Sequence, residues 1–309
     1  MKNIKKIAAL ILVITCIGQA NAQQDAMVSQ YMFNGLFLNP AYAGSHKYFS
    51  SSFLNRSQWV NFDGAPRTSI LAVDGPLMNQ KMGVGLILAN DKIGVTNQTD
   101  IYANYSYFLK VGKGSLGLGI KAGASQYTAK VSDLIVWDAN DISFTGTKKS
   151  ALIPKFGFGT YYYTENWYAG FSIPALIAYD SKRDFSISME SSSAIRKHYY
   201  LTAGYVYEAT EKLKIKPSFL LKHQTAAPLE VDINLTAMFI DEIALGVSFR
   251  TNDAVVVMLE YQTNKRFRVG YAYDITTTKM SRYSAGTHEI MIGFDFGKDI
   301  ISIKTPRFF

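Results

Sequence analysis

Four histidines, one cysteine and scattered serines are the residues with which this 309-residue chain could do covalent or metal chemistry, and their spacing argues against it. His46, His198, His223 and His288 lie far apart, and no pair has the His-x-x-x-His interval that puts two imidazoles on one helix face. Ser193 and His198 are five residues apart, but a hydroxyl nucleophile needs a base held within hydrogen-bond reach, and nothing in their loop marks either as activated. Gly83-Val84-Gly85 and Gly117-Leu118-Gly119 place glycine at strand spacing rather than in a phosphate-cradling loop. They read as strand interiors where glycine permits curvature. No catalytic, cofactor-binding or metal-ligating residue is expected, and the chain reads as a non-enzyme without cofactors.

The elements that position the remaining polar residues begin with a leader. Lys2, Lys5 and Lys6 precede an apolar run over residues 7–17, and Ala20-Asn21-Ala22 supplies a small-x-small cleavage pattern. This predicts a secretory signal peptide over residues 1–22. Cys16 leaves with it, so the mature chain has no disulfide and no thiolate. Losing those three lysines lowers the formal net charge from +8 to +5. Lys and Arg are scattered rather than gathered on one face, which argues against a nucleic-acid footprint; the mild excess suits anionic lipid or an acidic partner. Aromatic residues make up 14% of the chain, yet no mature stretch approaches the roughly 20 apolar residues of a spanning helix. An exported, aromatic-rich chain of this kind points to an outer-membrane β-barrel.

Periodicity agrees. Ile290, Ile292, Phe294 and Phe296 alternate with Glu289, Met291, Gly293 and Asp295, and Phe267, Val269, Tyr271 and Tyr273 with Arg268, Gly270, Ala272 and Asp274. Successive strand side chains point to opposite faces, so each segment has one apolar face and one polar or glycine face. Segments of this kind number about 14 and start near residues 48, 68, 81, 98, 114, 153, 167, 198, 213, 229, 243, 254, 265 and 287. The fold expected is an all-β, antiparallel, closed transmembrane barrel over residues 48–297, because no strand edge can face hydrocarbon. With the N-terminus in the periplasm, the periplasmic turns are tight, and the outer connections include the long ones at residues 129–150, 174–197 and 276–286. Tyr105, Tyr107, Tyr161, Tyr162, Trp167, Tyr168, Tyr205, Tyr207, Tyr261, Phe294 and Phe296 are expected in a lipid-interface belt at the periplasmic end, with Tyr271 and Tyr273 near the outer boundary.

A charge facing hydrocarbon costs about 2–4 kcal/mol at the midplane, so charges within strands belong to the lumen. Those expected there are Lys121, Lys155, Lys214, Lys216, Arg250 and Arg268, opposed by Glu208, Asp232, Glu260, Asp274, Glu289 and Asp295. Equal numbers of both signs favour a cross-linked, filled interior over a selective water path. Residues 23–47 precede the first strand and form an apolar segment in which Asn39-Pro40 favours a turn. Tyr31, Met32, Phe33, Asn39, Pro40, Tyr42 and Gly44 are its candidate plug or partner-docking residues; a structural latch closing the barrel is the plainer alternative. Arg56, Trp59, Gly64 and Pro66 are assigned to a turn joining the first two strands outside. Residues 298–309 form a tail ending in Phe308-Phe309.

The stretches "QDAMVSQYMFNGLFLNPAYAGS", "RSQWVNFDGAPRTSILAVDGPL" and "KMGVGLILANDKIG", followed later by "GYAYDITTTKM", "GTHEIMIGFDF" and a terminal "TPRFF", resemble the PorP/SprF family of type IX secretion outer-membrane proteins. Gly35 departs from the proline-like turn former of many members. The resemblance implies a Bacteroidetes-type cell, outer-membrane location and lipid contact. It also implies partners among periplasmic and outer-membrane secretion components, and support for export of a surface adhesin of the gliding-motility type. A passive channel for a small or hydrophobic solute is the alternative that the barrel alone allows.

Overall fold

Alternation makes these segments strands, and lipid decides which face is outside. In the last strand Ile290, Ile292, Phe294 and Phe296 are exposed, while Glu289, Met291 and Asp295 are buried. Apolar rings and branched chains thus face outward and carboxylates inward, the inverse of a soluble sheet. The computed structural model describes residues 27–297 except 47, 78–79, 135–145, 151, 179–196, 225–226 and 264–265. The signal peptide, the start of the N-terminal segment, Ser193 and the tail lie outside the described residues.

The strands are β1 (Phe49–Ser57), β2 (Arg67–Leu77), β3 (Met82–Ile93), β4 (Thr96–Val111), β5 (Gly114–Lys130), β6 (Thr147–Lys149), β7 (Ile153–Tyr163) and β8 (Trp167–Ala178). They continue with β9 (His198–Tyr205), β10 (Tyr207–Thr210), β11 (Leu213–Gln224), β12 (Glu230–Phe239), β13 (Ile243–Arg250), β14 (Ala254–Thr263), β15 (Phe267–Thr276) and β16 (Thr287–Phe296). Every pairing is antiparallel between chain neighbours, and β16 pairs with β1 to close the cylinder. β6 is a short strand in the β5–β7 connection, and β9 and β10 are two pieces of one crossing, both paired to β11, so fourteen strands cross. Closure leaves no edge in hydrocarbon, the condition that lets strands span a bilayer. Among the described residues no helix is long and apolar enough to cross a membrane.

Tight turns lie at the end where the chain enters β1 and leaves β16, identifying it as periplasmic. One such turn places Ile240 and Asp241 at positive φ (54° and 57°). Two aromatics depart from the expected lipid belt. Tyr161 is 5% exposed and packs inside, its ring tilted against that of Tyr168 at 5.8 Å, because both fall on the inward parity of β7 and β8. Trp167, Tyr205, Tyr207, Tyr261, Phe294 and Phe296 are exposed on the outer face.

Candidate functional site

Residues 27–46 run through the inside of the barrel. Three single 3-10 turns, Tyr31–Phe33, Gly35–Phe37 and Pro40–Tyr42, give the segment a compact, kinked path. The Asn34 and Asn39 side chains accept the backbone N–H groups of Leu36 and Ala41, capping the second and third turns, and Pro40 starts the third with its φ already set. Gly35 lies under the Tyr42 ring, where a Cβ would sit 2.7 Å from Tyr42 Cδ2 and press on the ring. Gly44 adopts φ +71° against Gly75 and Gly83.

The wall is shaped to receive this backbone. A Cβ on Gly83 would overlap the Ala43 carbonyl, one on Gly119 the Ala41 backbone, one on Gly159 the Asn39 side chain and one on Gly270 the Gln30 amide. Of these, Gly83 and Gly119 were expected to serve curvature. The structure adds a close approach of two chain segments, the other use of a strand glycine. Between them stand short polar side chains aimed at the segment. Ser106 Oγ donates to Ala43 O at 2.6 Å, Ser172 Oγ to Leu38 O at 2.7 Å, and Asn39 Nδ2 to Thr160 O at 2.8 Å. Asn234 Nδ2 donates to Tyr31 Oη at 2.8 Å, and Asn34 Nδ2 to Ser52 Oγ at 2.6 Å. The Tyr42 ring meets Tyr161 edge-on at 5.5 Å. Met32 and Phe33 pack in the same apolar cluster.

Charge locks the far end. Glu289 accepts the backbone N–H of both Ser29 and Gln30 at 2.8 Å, and Ser29 Oγ donates to Asp274. Arg56 joins the two acids, with Nη2 2.8 Å from Asp274 and Nη1 3.1 Å from Glu289. Arg56 is therefore not part of the outer turn to which the sequence assigned it. Its position in β1 turns it into the lumen, 2% exposed. Arg250 extends the network to Asp232 (3.2 Å), Asp253 (3.1 Å) and Asp274 (3.6 Å).

Nearer the periplasm, Arg268 lies 3.4 Å from Asp295 and 3.9 Å from Glu260. Gly44 N donates to Asp74 at 2.9 Å, and His46 Nε2 lies 3.4 Å from the same oxygen. Burial, reinforced by the Arg268 charge, lowers the His46 pKa to about 3, so the imidazole is neutral. Lys155 sits 3.6 Å from Asp100, Lys121 lies over the Tyr102 ring at 4.0 Å, and Lys216 lies 3.5 Å from Met32 O. Two expected lumen charges lie elsewhere. Glu208 is exposed at the periplasmic rim, beside Lys214 in register. Lys214 itself reaches out to Asp241 in the β12–β13 turn at 2.7 Å. Parity along a strand tells inward from outward but not how deep a residue sits, and these two lie past the end of the lumen.

Two of the spaces beside the segment among the described residues are small: about 40 Å³ near Tyr42 and Lys216, and about 90 Å³ near Val28 and Lys121. Asp74, Asp100, Ser29, Gln30 and His46 belong to the site but were not singled out from the sequence. An inward-parity aspartate in the apolar "ILAVDGPL" strand was the available signal for Asp74. Trp59, Gly64 and Pro66 lie in the outer β1–β2 loop, where Gln58 N donates to Pro66 O and Gly94 N to Gly64 O. The histidines occupy separate environments; His198 faces in and His223 faces out on neighbouring strands.

A sequence-family profile described as type IX secretion system membrane protein PorP/SprF matches residues 20–294. No curated protein sequence matches the chain. Among solved structures, a Pseudomonas aeruginosa FadL homologue aligns over 86% of this chain and 94% of its own, at 12% identity and TM-score 0.48. The Ralstonia pickettii toluene transporter TbuX aligns over 86% and 92%, at 8% identity and TM-score 0.48. The Acinetobacter baumannii outer membrane protein Omp33 aligns over 82% and 100%, at 10% identity and TM-score 0.45.

Proposed function

We propose a role that proceeds from one fact: the chain belongs to the PorP/SprF family of type IX secretion system membrane proteins. It is an outer-membrane component of that system. Within it, the protein acts by binding rather than by chemistry or conduction. It couples the periplasmic and outer-membrane secretion machinery, or an adhesin in export, to the outer membrane, in support of adhesin display of the gliding-motility type.

The observation that carries this reading is the filled lumen. Residues 27–46 and the paired charges occupy the space a solute would need, which turns the barrel's working surfaces to its two rims and its outer wall. A passive solute channel would need that segment displaced. The test is deletion of the gene with two readouts, surface adhesin and small-solute uptake, alongside affinity isolation of the tagged protein. Loss of adhesin with unchanged uptake, and recovery of secretion components with the tagged barrel, is the expected result. Normal adhesin display with reduced uptake overturns it in favour of a channel.

A further inference from the structure

The outward wall of β1–β6 changes character in ordered rows. Phe53, Leu71, Leu88 and Ile101 are cross-strand neighbours and form an exposed apolar row. Two residues further toward the outside, Asn55, Ser69, Asn90 and Thr99 form an uncharged polar row, tied together by Asn55–Ser69 (2.9 Å) and Asn90–Thr99 (3.0 Å) side-chain hydrogen bonds. Two residues further again, Ser57, Arg67, Lys92, Asn97, Thr128 and Lys149 are successive register partners. Arg67, Lys92 and Lys149 are exposed in it. The cations stand about 13 Å along the strands from the leucines, at roughly 3.3 Å per residue.

The β12–β15 sector lacks this order. Across β12–β15 the corresponding outward row, Ile233, Phe249, Val255 and Ile275, is apolar to the ends of the strands.

Above Arg67 and Lys92 opens a groove of about 690 Å³ between the β1–β2 loop and the β3–β4 turn, with Asp63 the one carboxylate among its lining residues. Its size is that of a small-molecule site. The loop that roofs it is braced from two sides. Gly94 N donates to Gly64 O at 2.8 Å, while Val60 N donates to Gly286 O and Ala285 N to Val60 O. Trp59 and Asn61 are held at φ 47° and 73°. A positive φ at a bulky residue persists only where surrounding structure imposes it, and such residues gather at functional sites.

We propose that this face binds a phosphorylated glycolipid of the outer leaflet. Its phosphate is held by Arg67 and Lys92, its sugars occupy the groove, and its acyl chains lie along Phe53, Leu71 and Leu88. The occupant comes from the membrane because the cations are continuous, strand by strand, with the lipid-facing row. Its headgroup is anionic because two cations with no ion pair among the described residues sit side by side at the groove's edge. Arginine and lysine together are well suited to phosphate oxygens.

The experiment uses the full-length barrel in detergent and measures retention of diphosphoryl lipid A by native mass spectrometry. Its arms are the dephosphorylated lipid, inorganic phosphate as competitor, the Arg67→Gln/Lys92→Gln variant, and the Lys279→Gln/Arg282→Gln variant in the β15–β16 loop as a charge-matched control. Loss of the two charge-assisted contacts is expected to weaken retention by about tenfold or more, with the control unchanged. Dephosphorylation is expected to weaken it similarly, and millimolar phosphate not to displace the lipid. Equal retention by wild type and Arg67→Gln/Lys92→Gln, or equal loss in the control, overturns the site. Displacement by free phosphate as effectively as by lipid overturns the membrane source.

Discussion

The Glu289 carboxylate accepts the backbone N–H of Gln30 at 2.8 Å across 259 residues of sequence, and its second oxygen accepts that of Ser29. A strand of the wall thereby grips peptide backbone of the segment it encloses, independently of that segment's side chains.

Replacing Glu289 by Gln leaves Arg56 with Asp274 alone and removes the anion to which both amides donate. Breaking a buried, hydrogen-bonded ion pair costs about 3–5 kcal/mol. Amide hydrogen exchange is expected to lose about a hundredfold or more of protection at Ser29 and Gln30. Strands β11–β14 should keep theirs, since the barrel's own ladders are untouched. Uniform loss across the barrel would show that the segment is part of the folding core rather than a guest in the lumen.

Gly119→Ala places a methyl on the Ala41 backbone, whereas Gly246→Ala meets only the Met258 and Thr236 side chains, the nearest at 3.1 Å. Both glycines face inward, but only Gly119 carries the segment. The first substitution is expected to expose residues 40–43 to added protease. The second is expected to leave proteolysis unchanged and alter stability by less than about 1 kcal/mol.

Much of this was legible beforehand. A two-residue period marks lipid-facing Ile290 and Phe294 against Glu289 and Asp295, and fourteen such segments close as expected, because hydrocarbon tolerates no other arrangement of strands. Depth and partners were not legible. Arg56 looked like a turn residue beside Trp59 because nothing local reveals a carboxylate 233 positions away. Glu208 shared the parity of lumen charges but sits where water reaches it, and Tyr161 had the composition of a lipid belt while serving the segment inside. The inward glycines could not disclose what they approach.

Arg250 and Lys214 separate buried from rim electrostatics. Arg250→Leu strands Asp232 without its cation, leaves Asp274 with Arg56 alone, and is expected to lower unfolding stability in detergent by about 3–5 kcal/mol. Lys214→Ala removes only a rim pair to half-exposed Asp241, expected to cost less than about 1 kcal/mol. Comparable losses from both would refute the depth assignment of these two charges.

His46 gives the protein an acid-sensitive term. Its folded pKa, about 3, lies below the ordinary value of 6.5, so the unfolded chain binds a proton the folded chain refuses. That stabilisation is complete above pH 6.5 and declines as pH falls toward 3, by roughly 1.4 kcal/mol per pH unit within the window. Between pH 4.5 and 7 the difference in denaturant midpoint between wild type and His46→Gln should grow in favour of wild type as pH rises; identical slopes would remove His46 from the account.

The occupied lumen is tested most directly by planar-bilayer conductance of the purified wild-type barrel, with a variant lacking residues 27–46 run beside it. Wild type is expected to insert without a steady open-pore current, and the shortened barrel to conduct. A stable, ohmic pore in the wild-type protein would contradict the account.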